Sequence, residues 1–202
     1  MALLLIRHGE TDLNTGRVVQ FPDTPLGEVG LAQAEALGAS LRSRALRLVV
    51  ASDYLRARMT AERIVAHTNA PLVESPHWRE RNFGDLRGRP YSEFGDLDIF
   101  ARDFLPPGGE SWTDFDSRVD RAWSELIAHG DDGAGDIAVV THGLVLRSLL
   151  ERVLDVGGHV VEPGITVANT SVTIVDHAPP WRVIALAAVA HLADGARDGA
   201  AV

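Results

Sequence analysis

The chain predicts an α/β layer fold: a three-layer sandwich in which helices flank a mostly parallel central sheet, with a small inserted lid. Three observations lead there. Short apolar runs that read as buried strands alternate with stretches whose apolar residues recur at helical spacing. Two of those runs end alike, "LLLIRHG" (3–9) and "IAVVTHG" (137–143), each in a polar residue, a histidine and a glycine. Between residues 76 and 111 the alternation breaks, and glycine, proline and aromatic residues mix with charges.

Taken in order, residues 3–7 are short, apolar and ended by glycine, as a buried strand is. "DTPLGEVG" (23–30) is a turn opening a helix, with Gly27 at its N-cap and a stripe of Val29, Leu31, Ala32, Leu37 and Leu41 over 28–43. "LRLVVAS" (46–52) is a second buried strand, and 53–67 a second helix with Asp53 as N-cap. "APLVES" (70–75) is a third strand. The lid, approximately 76–111, is irregular, with one short helix near Ser92 to Phe104. Its apolar lining is drawn from Tyr91, Phe94, Leu97, Ile99, Phe100, Phe104 and Leu105. A helix from Ser111 to His129 follows, then the strand "GDIAVVTHG" (135–143) and a helix from Leu144 to Leu154. "TSVTIVDH" (170–177) and "WRVIALAAV" (181–189) read as two strands paired through a Pro179-Pro180 turn. The last nine residues are expected to fray. With no repeat and no low-complexity linker, residues 1–202 read as a single domain carrying the lid insertion.

Composition narrows the function. A net charge of −9 argues against nucleic acid and anionic membrane surfaces as partners. There is no cysteine, hence no disulfide, thiolate metal site or cysteine nucleophile. There is no lysine either, so all 19 basic residues are arginine, which removes a P-loop lysine and any Schiff base. An anion site must then be built from arginine, histidine, amides and helix ends. No targeting or membrane-spanning segment is legible, so the expected location is cytoplasmic.

The two strand-end histidines, His8 and His142, share one edge if their strands lie in one parallel sheet, where ligands of such folds bind. Arg7 precedes His8. Arg56, early in the helix after the second strand, points back toward the same edge, and Glu80 lies just beyond the third strand. Each residue alone has an ordinary explanation: a capped histidine, a solvated arginine, a surface ion pair between Glu80 and its arginine neighbours. Together they crowd positive and half-positive groups whose unpaired burial costs several kcal/mol each. A bound dianion relieves that cost, and phosphate matches arginine's paired donors. A metal held by His8, His142 and Glu80 is disfavoured, because adjacent arginines repel a cation and known ligand spacings are missing. Asp114 and Asp116 in "TDFDS" lack a preceding strand and read as helix N-terminal charges. Trp112 and Trp123 read as core anchors, and the remaining histidines as surface or loop residues.

At this point the chain resembles the histidine phosphatase superfamily, the phosphoglycerate-mutase-like fold. The resemblance rests on "RHGET" with Asn14 seven residues after Arg7, then "DTPLGEVGLAQA", "SDYLRARMTAERI", "RERNFGDLRG", "PPGGES" and "VVTHG", in order across nearly the whole chain. It implies an acid-type histidine phosphatase, a phosphoric monoester hydrolase that needs no metal and no cofactor. By that resemblance His8 is the nucleophile that becomes phosphorylated. Arg7, Arg56 and His142 complete the phosphate pocket, Asn14 and the Gly143 amide are further phosphate ligands, Gln20 lines the entrance, and Glu80 is the proton donor.

Mutases and phosphatases of this kind share one pocket. A mutase needs extra cations around an acidic substrate, and the resembling mutases carry a lysine after the glutamate motif. This chain has none, which favours the phosphatase branch and a small phosphorylated metabolite as substrate. Arg87, Arg89 and Arg102 keep a second anionic group open. A cofactor-dependent phosphoglycerate mutase and a non-catalytic phospho-ligand-binding module are the alternatives, the last disfavoured because a pure binder has no use for Glu80. The sequence leaves the oligomeric state open, a homodimer included.

Overall fold

A computed structural model describes residues 1–129, 134–162, 165 and 167–192. The expectation for the last nine residues lies outside that set. One six-stranded sheet has the order β3-β2-β4-β1-β5-β6. Its strands are β1 (Ala2–Arg7), β2 (Leu46–Ala51), β3 (Leu72–Glu74), β4 (Asp136–Thr141), β5 (Val172–Asp176) and β6 (Val183–Ala188). β3, β2, β4 and β1 run parallel, while β5 and β6 join antiparallel on the other side of β1. The apolar runs are continuous because both faces of the sheet are covered. Leu3, Leu5, Ile137 and Val139 enter one core with Phe115, Val119, Trp123, Leu146 and Leu149. Leu4, Ile6, Ala138 and Val140 enter the other with Leu37, Leu41, Ala57 and Ile64. The first core therefore lies under helices α4 (Trp112–Ala128) and α5 (Gly143–Arg152), the second under α2 (Glu28–Leu41) and α3 (Leu55–Thr68). The expected three-layer sandwich is what forms.

Several elements differ from expectation for local reasons. A four-residue helix, α1 (Asp12–Thr15), follows the first strand, closed by a reciprocal capping box between Thr11 and Asn14. Helix α3 starts after Tyr54 with no side-chain cap, because the Asp53 carboxylate is taken by Arg79, whose Nε donates at 2.7 Å. Gly27 does occupy the N-cap of α2. In the lid no α-helix forms near Ser92 to Phe104. Three single 3-10 turns appear along its length, Pro76–Trp78, Gly84–Leu86 and Tyr91–Phe94, the last stopped by Gly95 at φ 55°. Gly84 (φ +52°) is held so tightly that a Cβ would lie 2.1 Å from the Pro107 carbonyl oxygen.

The lid has its own small core of Val19, Phe83, Leu86 and Ile99, packed by Tyr91, Phe94, Phe100 and Phe104. Leu97 and Leu105, expected in its lining, are 54% and 60% exposed and do not contribute. Arg81 ties the lid together: its guanidinium donates to the carbonyls of Glu110 (3.0 Å), Ile99 (3.4 Å) and Phe104. Among the described residues no helix is long and apolar enough to cross a membrane.

Candidate active site

Strand register brings the candidate residues to one edge. Arg7 pairs with Thr141 and Ala51 with Val140, so three strands end level. The next residues continue the ladder: the His8 amide donates to the Thr141 carbonyl and the Ser52 amide to the Val140 carbonyl, both at 2.9 Å. His8 and His142 therefore meet, ring centroids 5.1 Å apart. Beside them opens a cavity of about 270 Å³ lined by Arg7, His8, Asn14, Gln20, Arg56, Glu80 and Gly143 among others. A Cβ added to Gly143 would lie 3.8 Å from Arg7 Nε and 4.0 Å from Glu80 Oε2, so the start of α5 sits between those two groups.

His8 is fixed in one tautomer. Its Nδ1 lies 2.7 Å from the Gly9 carbonyl, which can only accept, so Nδ1 carries the hydrogen and Nε2 the lone pair. Arg56 Nε donates to that Nε2 at 3.2 Å. Burial lowers the His8 pKa well below 6.5, and the Arg56 and Arg7 cations push the same way, so the ring is neutral. The main chain here is held from three sides. Asn169 Nδ2 donates to the His8 carbonyl (2.9 Å), the Thr170 amide to the Arg7 carbonyl (3.0 Å), and the Gly9 amide to Thr60 Oγ1 (3.0 Å). A Cβ on Gly9 would lie 2.7 Å from the Gly30 carbonyl oxygen, so the glycine pair lets α2 close on this loop.

His142 is buried behind His8 and does not line the cavity itself. Its Nε2 meets Ser52 Oγ at 2.8 Å, while Nδ1 is buried without a partner. Burial and then Arg56 lower its pKa as well. Arg7 Nε is likewise unpartnered, while its Nη1 donates to the Val167 carbonyl at 2.5 Å. The unpaired Arg7 Nε, on a side chain that lines the cavity, costs free energy that a bound anion recovers. Arg56, its pKa lowered by burial to about 10, stays cationic at neutral pH. Asn14 Oδ1 accepts from the Thr11 amide and hydroxyl, both at 3.2 Å, so only its N–H donors are left for the cavity. Gln20 Oε1 lies 3.0 Å from the same Thr11 Oγ1 and shares its single hydroxyl hydrogen with Asn14.

Glu80 is half-buried in the cavity wall rather than a surface ion pair. Its Oε1 accepts from the Arg81 amide (2.9 Å) and its Oε2 from the Leu144 amide (3.1 Å). Desolvation raises its pKa, against the pull of those amides and of Arg56 and Arg7. A neutral imidazole and a carboxyl that holds its proton to higher pH than usual thus sit in one cavity, the pairing that acid–base chemistry uses.

Of Arg87, Arg89 and Arg102, only Arg87 lines the cavity, with its Nη2 donating to Tyr54 Oη at 3.2 Å. Arg89 pairs with Glu93, and Arg102 with Asp116 and Glu151. Sequence reasoning missed Tyr54, Arg147, Ser52 and Asn169. Arg147 was findable, since it lies one helical turn after Gly143 on the same face. Tyr54 lies inside the quoted "SDYLRARMTAERI", but nothing local shows that its ring meets His142 edge-on at 5.4 Å. Among the described residues no group of three or more His, Asp or Glu side chains is placed to hold a metal ion.

These shifts predict how stability depends on pH. His8 and His142 titrate lower in the folded chain than in the unfolded one. Below pH about 6.5 the unfolded chain therefore binds protons that the folded chain refuses, and stability falls by up to about 1.4 kcal/mol per pH unit for each ring. Glu80, with its raised pKa, works the other way and offsets part of that slope. The expected result is a melting temperature that drops as pH is lowered from 7 to 5. The two-alanine variant His8→Ala/His142→Ala should lose much of that slope, and an unchanged slope would contradict the buried neutral rings.

Comparison with known proteins agrees with this geometry. The family model of the histidine phosphatase superfamily (branch 1) matches residues 3–187. The chain is 33% identical to the broad-specificity phosphatase YOR283W of Saccharomyces cerevisiae over 96% of this chain and 88% of the other. It is 29% identical to a Yersinia pestis protein named "Probable phosphoglycerate mutase GpmB", over 90% and 87% of the two chains. The structure of a mycobacterial glucosyl-3-phosphoglycerate phosphatase complexed with VO3 superposes with a TM-score of 0.78 at 28% identity, covering 93% of this chain and 99% of that one. The resemblance first carried by "RHGET" and "VVTHG" thus holds across the fold, and the chain belongs to the histidine phosphatase superfamily, whose members compared here are named as phosphatases or mutases.

Proposed function

We propose that the protein is a metal-independent phosphomonoesterase acting through a phosphohistidine on a small phosphorylated metabolite. The observation that carries this reading is the pairing of His8 Nε2, held as a neutral lone pair beside Arg56, with the half-buried Glu80, its pKa raised by desolvation, in the same cavity. Phosphate monoesters hydrolyse so slowly unaided that accelerations up to ~10²¹-fold are known, and a covalent intermediate splits the task in two. In the first step His8 Nε2 bonds to phosphorus as the ester P–O bond breaks. Protonated Glu80 gives its proton to the leaving alkoxide. In the second step Glu80, now a carboxylate, takes a proton from water as the water oxygen bonds to phosphorus and the N–P bond breaks.

The cations Arg7 and Arg56 stabilise the charge on the equatorial oxygens, helped by the Asn14 donors and by the Gly143 end of α5. His142 acts from behind His8, where its own neutral state keeps a second positive charge off the nucleophile. The leaving group meets an apolar wall of Phe83, Phe100, Leu144 and Ile165 with Arg87 at its side, which suits a compact organic group.

The test is inorganic phosphate release from p-nitrophenyl phosphate, a ribazole-type phosphate and 3-phosphoglycerate in excess chelator. Chelator-resistant turnover of at least one ester is expected. Turnover that chelator abolishes would overturn the metal-independent mechanism. Silence on all esters together with primer-dependent phosphoglycerate interconversion would favour the mutase named among the relatives. Silence in both assays would leave a binding module.

A further inference from the structure

Glu80 stands in irregular chain. Between the Pro76–Trp78 turn and Gly84 no strand pairing or helix holds the main chain, yet a proton donor must be placed to within a fraction of an ångström. One side chain gathers the free carbonyls of this stretch. Arg118, in the middle of α4, donates through Nη1 to the His77 carbonyl (2.9 Å) and the Arg79 carbonyl (2.8 Å), and through Nη2 to the Glu80 carbonyl (3.4 Å). Its guanidinium is itself aimed by Glu110, which accepts from Nε at 2.9 Å and from Nη2 at 2.7 Å, a two-point grip. The guanidinium also lies over the Phe115 ring, 5.1 Å from its centroid.

Glu110 grips the same stretch again from the other side. Its amide donates to the Asn82 carbonyl (2.8 Å), and its Oε2 accepts from the Asn82 amide (3.3 Å). The pair is mostly out of solvent, with side-chain exposures of 20% and 14%. Thr141 Oγ1 adds a bond to the Trp78 carbonyl at 2.8 Å, so the carboxyl end of β4 ties down the start of the loop.

We infer that the half-buried Arg118–Glu110 pair is a positioning device for the proton donor: it fixes the main chain of residues 77–82 so that the Glu80 carboxyl faces the leaving-group oxygen. This rests on Glu80 being the proton donor. Neither Arg118 nor Glu110 lines the cavity, so neither touches substrate. Their effect passes wholly through Glu80, and this sets them apart from residues that merely stabilise the fold. A misplaced proton donor hurts an ester in proportion to how badly its leaving group needs the proton. An alkyl phosphate, which departs as a strongly basic alkoxide, needs it. p-Nitrophenyl phosphate departs as a stable anion and hardly does. General folding damage hurts both alike.

The experiment measures kcat/KM, which reports steps only through leaving-group departure and is therefore blind to dephosphorylation. Both esters are compared for wild type, Glu80→Gln, Arg118→Lys, Arg118→Ala and Glu110→Gln, with circular dichroism and melting curves alongside. Arg118→Lys keeps the charge but not the forked grip, and it guards against an alanine variant that fails to fold. Arg118→Lys is expected to lose on the order of 100-fold on the alkyl ester and under about 10-fold on p-nitrophenyl phosphate. Glu80→Gln should show the same asymmetry, and the double variant Glu80→Gln/Arg118→Lys no further loss on the alkyl ester. If Glu80→Gln discriminates between the esters while Arg118→Lys loses both equally or neither, the positioning role is overturned and the proton-donor reading stands. If Glu80→Gln itself loses both equally, the proton-donor reading fails and the positioning role falls with it.

Discussion

Replacing His8 with alanine should lower phosphate release by on the order of 10⁴-fold or more on every ester, with no phosphorylated protein trapped on alkaline quench. The size follows from what the side chain supplies. Its Nε2 lone pair is the only neutral nitrogen nucleophile lining the cavity among the described residues, since His142 lies behind it. Without it, water must attack the ester directly in one step. The arginines would still hold phosphate, so KM should move far less than kcat. An acid-labile, base-stable phosphoryl group in wild type, absent from the variant, would identify phosphohistidine. His8→Ala retaining a tenth of the activity would sink the covalent route and leave the pocket to a direct hydrolysis or to binding alone.

Arg56→Ala should cost about 10³- to 10⁵-fold in kcat/KM, the scale seen when a cation on the transferring phosphoryl group is removed. Two effects combine. The buried guanidinium, cationic with a pKa of about 10, stabilises the equatorial oxygens, and it also keeps His8 neutral. After burial, Arg56 is the largest influence holding the His8 pKa down. Its removal lets that pKa rise toward 6.5, so the acidic limb of kcat/KM against pH should move to higher pH. Arg56→Lys should restore part of the rate and part of the limb shift. A lysine keeps the charge but cannot donate both from Nε to His8 Nε2 and from Nη1 to the Phe21 carbonyl, which Arg56 does at 3.2 Å and 2.9 Å. An acidic limb that stays in place in Arg56→Ala would show that Arg56 does not set the protonation state of His8.

Much of this site could be read along the chain because its anchors sit at strand ends. A strand's carboxyl end is visible as the last apolar residue before a polar one, so Arg7-His8 and Thr141-His142 announced themselves. A parallel sheet leaves little freedom in where such ends go, and here the Arg7–Thr141 register puts them side by side. The lid was least legible. Its three turns depend on glycine conformations and on carbonyls captured by Arg81 and Arg118 from distant elements, and no periodicity encodes that. Asp53 misled for a related reason: a residue suited to cap α3 was claimed by Arg79 across the chain.

Local sequence by itself determined the layered α/β fold, the two His-Gly strand ends, the arginine and glutamate beside them, and the absence of cysteine and lysine that leaves phosphate recognition to arginine and histidine. Only the tertiary structure decided that His142 stands behind His8 rather than in the cavity, that Glu80 turns into the cavity half-buried, that of Arg87, Arg89 and Arg102 only Arg87 faces the cavity, and that Arg118 reaches back to hold the loop of Glu80. The first set depends on the order of residues along one element, which strand and helix periods expose. The second depends on burial and on long side chains meeting groups dozens of residues away, and those quantities exist only once the layers have packed.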